Sequence, residues 1–226
     1  MAASDQTRDP AAGAAPEGEL ARLAIASARA GDRSAWAALL ALDETLGRTV
    51  ARAREPMLAQ IKLAWWRERL TAGLQEAQDD PLLAAVAQAF GQDRPALAAL
   101  VDAWEQLLAP PPLARAALES FADGRAKCVV LLATRLCGAE AAGARDEARL
   151  WALVDFAEHC SSGAEADDAM ALARSLAGRR AALDRRLRPL AVLGGLARRA
   201  ARSGRRTMLG DRLSPFVAAR IALSGR

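Results

Sequence analysis

The sequence predicts an all-α protein, a single antiparallel helical bundle, and three observations carry that prediction. Alanine, the strongest helix former, makes up about a quarter of the 226 residues. Extended hydrophobic runs of the kind strands need are few. Proline, glycine and capping residues cut the remainder into segments of helical length.

Residues 1–18 are rich in Ala, Gly, Pro and charge, with acids at Asp5 and Asp9 and no apolar core of a secretory signal. They predict a disordered tail, leaving 19–226 as the folded domain. A first helix is expected over 17–30, stopped by Gly31. Asp32 and Ser34 are N-cap residues for a second, running to about Arg54. Pro56 fixes φ in the first turn of a third, which ends near Gln78. Within it Leu58, Ile61, Trp65 and Trp66 recur at helical spacing, predicting a buried stripe, with Arg67, Glu68 and Arg69 toward water.

Asp80-Pro81 opens a helix through Phe90, and Asp93 with Pro95 opens another to about Leu108. The run Pro110–Pro112 forces an extended break. A long helix over 113–136 then ends at Gly138, and another over 144–160 ends before Ser161-Ser162-Gly163. Two or three shorter Arg-rich helices complete the chain over 174–226, the last begun by Ser214-Pro215. Pro189 and Gly194-Gly195 make these marginal unless tertiary packing supports them.

Charge is unevenly spread. Residues 174–226 hold fourteen arginines against Asp184 and Asp211, a balance of +12 that leaves −8 for the rest. Such a region suits an anionic membrane surface or an acidic assembly partner; with no recognised nucleic-acid motif, nucleic acid is not expected. No run of about twenty apolar residues is present to span a membrane. Cys128, Cys137 and Cys160 form neither a paired framework nor a CxxC pattern, which fits core thiols in a reducing, cytoplasmic compartment, with peripheral membrane association open. His159 is the sole histidine, so a His-based metal site or a triad lacks partners.

The third helix, Glu55-Pro56 through Trp65-Trp66-Arg67-Glu68-Arg69-Leu70, preceded by Arg33-Ser34-Ala35-Trp36 and Ala37–Leu42, resembles the squalene/phytoene synthase family. Leu118-Glu119-Ser120-Phe121-Ala122-Asp123-Gly124-Arg125 resembles that family's "l-x-x-Y-a-x-G-R" helix, Leu150–Ala157 its second catalytic helix, and Leu187-Arg188-Pro189-Leu190 a late "lrpl" segment. The resemblance implies an isoprenoid synthase bundle. In active members, Asp-rich DxxxD motifs face one another and hold Mg²⁺ on two prenyl diphosphates joined head to head. Carboxylates one helical turn apart are what that chemistry needs, since ionisation leaves a highly charged pyrophosphate.

The expected first motif falls on Gly47-Arg48-Thr49-Val50-Ala51, which holds no carboxylate. Asp43 and Glu44 lie a turn upstream but are adjacent, about 100° apart on a helix. The second motif region offers Asp155, Glu158 and His159 without DxxxD spacing. The i, i+4 carboxylate pairs are Asp5/Asp9, Glu76/Asp80 and Glu119/Asp123.

The expectation is therefore a divergent, catalytically inactive member without cofactor or metal, acting as an assembly or isoprenoid/lipid-binding factor at a membrane surface. The resemblance points to complex I assembly for known relatives of this kind. The alternative is an active Mg²⁺-dependent head-to-head prenyltransferase. It would use Glu119, Asp123 and Asp155 as catalytic carboxylates, with Trp65, Phe121 and Arg125 lining the substrate pocket.

Overall fold

A computed structural model describes residues 16–72, 80–138, 143–178, 182–210 and 214–224. The expectations placed on the tail before Pro16, on Glu76 and on Asp211 lie outside the described residues. Among the described residues every regular element is helical, in one bundle. In order these are α1 (Glu19–Ala26), α2 (Arg33–Ala51), α3 (Pro56–Thr71), α4 (Pro81–Phe90), α5 (Ala98–Glu105), α6 (Arg115–Cys137), α7 (Ala144–His159), α8 (Gly163–Ala177), α9 (Arg188–Ser203) and α10 (Ser214–Ser224). Short 3₁₀ turns at Ala30–Asp32, Gly91–Leu97, Gln106–Leu108 and Arg185–Leu187 link or extend them.

Several punctuation residues act as their chemistry requires, but Asp32 caps no amide of α2 and pairs with Arg186, and Asp93 lies within a 3₁₀ turn. The Asp80 carboxylate accepts from the amides of Leu82 and Leu83, at 2.8 and 3.1 Å, and Pro81 opens α4. Gly138 ends α6 with φ 73°, the left-handed conformation that costs glycine no Cβ clash. Ser162 does more than mark a stop: its hydroxyl accepts from the Glu165 amide and caps α8, a helix the sequence analysis did not separate.

α7 is the axis of the bundle, packed against α6, α8 and α9. Its Leu150, Trp151, Leu153 and Val154 are buried, each such side chain contributing roughly 1.5–3 kcal/mol on leaving water. α9 and α10 are the Arg-rich helices expected at the end of the chain, and α9 has the tertiary packing its glycines call for. Leu190, Leu193, Leu196 and Ala197 enter the core, and Gly194 lets it lie directly against Glu147 of α7. Gly195 makes the same allowance for Ile221 of α10.

α3 corrects the expected burial pattern. The residues that face the core are Ala59, Leu63, Trp66 and Leu70. Leu58, Ile61 and Trp65 point outward, 53%, 61% and 40% exposed, beside Met57 at 69%. This helix carries two apolar stripes on opposite sides, and only one meets α2 and α5. Arg67 does not turn simply to water either: it reaches Asp102 and Glu105, both at 2.6 Å.

Candidate functional site

The arrangement with the richest chemistry is built around one buried arginine. On α2 the core-facing positions are Trp36, Leu39, Leu42, Asp43 and Leu46, so a carboxylate stands in an otherwise apolar stripe. On α6 they are Leu118, Phe121, Ala122, Arg125, Val129 and Leu132, with a guanidinium in the same situation. Stranding either charge in the interior would cost several kcal/mol, so the two must meet.

They do. Arg125, 2% exposed, donates through Nη2 to Asp43 Oδ2 and through Nη1 to Asp155 Oδ2 of α7 at 2.8 Å. Trp104 of α5 gives its indole N–H to Asp43 Oδ1 at 2.9 Å. Aromatic rings box the guanidinium, with Trp151 at 4.1 Å and Trp104 and Phe121 both at 5.3 Å from its central carbon. Burial is the largest influence on the Asp43 carboxyl and pushes its pKa up, with Asp155 adding to this while Arg125 and Trp104 oppose it. For Arg125, burial works against the charge, yet Asp43 and Asp155 together outweigh it and hold the guanidinium cationic.

Both oxygens of Asp43 are engaged by side chains of α5 and α6. Gly47, one turn on, has the Trp104 ring where a side chain would begin: a Cβ built there would lie 2.8 Å from it. The position at which the first aspartate motif is expected is thus filled by an indole. Glu44 points the other way, accepting from the Glu17 amide at 2.9 Å with Arg48 at 3.7 Å.

Phe121, Arg125 and Asp155 of the sequence-derived candidates come together in this cluster. Glu119 and Asp123 do not join it. Glu119 pairs with Arg115 at 3.0 Å and Asp123 with Arg149 at 2.9 Å, each partly exposed on other faces of α6. Trp65 stands on the outer surface of α3, edge-on to Trp66 at 5.0 Å. Glu158 accepts from the Met208 amide at 3.1 Å, and burial raises its pKa. His159 is exposed, 3.6 Å from Asp155. Cys128 is a core thiol, pushed up to about 12 by burial despite the neighbouring Lys127. Among the described residues, no group of three or more His, Cys, Asp or Glu side chains could hold a metal ion.

Among the described residues, several arginines of the basic C-terminal region bond to groups of the same chain. Arg186 pairs with buried Asp32, and burial of the carboxylate notwithstanding, the hydrogen bonds from Arg186 lower the Asp32 pKa. Arg198 grips buried Glu147 with two bonds, at 2.7 and 2.8 Å. Arg188 caps the Ala222 carbonyl, Arg202 the Ala177 carbonyl at 3.0 Å, and Arg206 meets Asp167 at 2.7 Å. Among the described residues no helix is long and apolar enough to cross a membrane.

The sequence singled out Arg125 and Asp155 but not Asp43 as their partner. The signal was available: an acid and a base, each alone on the apolar stripe of its helix. No curated protein and no solved structure matches the chain. The family model described as squalene/phytoene synthase matches residues 21–178, which takes in α2 through α8 and the whole Arg125 cluster.

Proposed function

We propose a function from one premise: the chain belongs to the squalene/phytoene synthase family. On our reading it is a member that does not ionise prenyl diphosphates, and its interior serves as scaffold. It works instead as an assembly or isoprenoid/lipid-binding factor at a membrane surface.

The observation that carries this is the Asp43–Arg125–Asp155 cluster. Mg²⁺ asks for near-octahedral oxygen ligands, several of them carboxylates when a diphosphate must be neutralised. Here the carboxylates facing one another from α2 and α7 are spanned by a guanidinium, and both Asp43 oxygens already accept a hydrogen bond. These residues do not fit a metal-bound diphosphate, so no catalytic step is derived through one. A bidentate cation that is part of the chain does permanently what the metal would do transiently.

The test is a pyrophosphate-release assay on the full chain with farnesyl or geranylgeranyl diphosphate and Mg²⁺. Release is expected to stay at the level of a boiled control. Release well above it, abolished by Asp43→Asn or Asp155→Asn, would establish the active prenyltransferase instead.

A further inference from the structure

The outer stripe of α3 is an apolar surface feature the bundle does not use. Met57, Leu58, Ile61 and Trp65 follow one another at i, i+1, i+4 and i+8, which places them in one row along one side of the helix. They are 69%, 53%, 61% and 40% exposed, while the opposite side of the same helix supplies Leu63, Trp66 and Leu70 to the core. Large apolar side chains scattered singly need no explanation, but a contiguous row of them marks a contact surface.

Charge says what kind of contact. Exposed Arg52 and Arg54 stand at the head of α3, and Lys62 and Arg69 flank the row along its length. The Arg69 guanidinium lies 5.5 Å over the Trp65 ring, cation above indole. Glu55 and Glu68 are the acids of this stretch, so the cations prevail. Long basic side chains can keep their charged ends at headgroup level while the apolar row dips below, with Trp at the boundary. The row is also a ridge on one helix, not a groove between two. It offers nothing to clasp a peptide, but it can enter a surface that yields.

We infer that the outer face of α3, through Met57, Leu58, Ile61 and Trp65 with their cationic rim, docks the protein on an anionic lipid surface. This deepens the membrane-surface part of the function proposed above and moves the contact from the Arg-rich C-terminal region, where Arg186 and Arg198 are bound to the buried carboxylates of Asp32 and Glu147 and Arg206 to surface Asp167. It is independent of the loss of catalysis.

Flotation of the full chain with vesicles of phosphatidylglycerol and phosphatidylcholine, against phosphatidylcholine alone, tests it. Wild type is expected to float with the anionic vesicles, less at high salt. The double variant Leu58→Gln/Ile61→Gln should lose at least tenfold in apparent affinity while its melting temperature stays at the wild-type value, since both residues are outside the core. Equal flotation of wild type and variant would overturn the assignment to α3 and leave membrane association standing. Failure of wild type to float would overturn both. A concentration-dependent dimer that the variant breaks, with no vesicle binding, would give the face to a second copy and overturn the lipid proposal. None of these outcomes bears on the pyrophosphate assay.

Discussion

Two buried arginines hold this bundle together in different ways, one gripping a carboxylate fork to fork and the other spanning two carboxylates. Arg198 meets the Glu147 carboxylate fork to fork, with bonds of 2.7 and 2.8 Å between α9 and α7. Gly194 makes room for the pair. Arg125 divides itself between Asp43 on α2 and Asp155 on α7, while Trp104 holds the remaining Asp43 oxygen. Its Nε and the Trp151 indole nitrogen are left without a protein acceptor. The first arrangement is balanced; the second carries an extra carboxylate and two idle donors. A site designed only for packing has no need of either, which is why we read the Arg125 cluster as a refitted cavity and the Arg198 pair as plain structure.

The largest effect should come from breaking the balanced pair. Arg198→Met strands Glu147 in the core and should cost about 3–5 kcal/mol in denaturant unfolding. Replacing both partners, Glu147→Leu with Arg198→Met, should recover most of that loss. Arg125→Met should cost less, about 3 kcal/mol, because Asp43, its pKa already raised, can take up a proton and keeps the Trp104 N–H, while partly buried Asp155 falls back on water. Adding Asp43→Asn to it should restore part of the stability, and a double-mutant cycle would read the coupling. If Arg125→Met were the more costly of the two, the contrast drawn between the clusters would be wrong.

The smallest effects are those of pH, and they have opposite signs at two carboxyls. Asp32 has a folded pKa below its ordinary 3.8, chiefly through hydrogen bonds from Arg186. Its contribution is present above that ordinary value and is lost as pH falls through the lower, folded one. Glu158 has a folded pKa above 4.5, because burial penalises its charge. Its contribution is present below 4.5 and fades as pH rises through the folded value. Unfolding free energy measured across the acid limb should therefore slope less steeply with pH in Asp32→Asn, and more steeply in Glu158→Gln above 4.5.

Much of the fold was legible because local chemistry decides it. Asp80-Pro81, Gly138 and the proline break at 110–112 each act within a few residues, and each sits at an element boundary. The face of α3 was not legible. Apolar residues surround that helix, so periodicity alone selects no inner side, and the choice falls to how α2 and α5 pack. α9 has the tertiary support its sequence requires. Its two glycines weaken an isolated helix, yet in the bundle they admit Glu147 and Ile221. The Asp43–Arg125 contact joins residues 82 apart in sequence, and nothing local announces it. What the sequence does hold is the pair of mismatched charges, one per apolar stripe, which demand a partner without naming it.

The central claim is that Arg125 occupies the two facing carboxylates that a metal-bound diphosphate would need. It is tested most directly by melting the full chain with and without Mg²⁺ and geranylgeranyl diphosphate. A ligand that binds the folded state at a hundred times its Kd stabilises by about 2.7 kcal/mol, so occupancy cannot hide. The account predicts that Mg²⁺ adds nothing to the melting temperature measured with geranylgeranyl diphosphate alone. A saturable rise that requires both, and that Asp43→Asn removes, would contradict it.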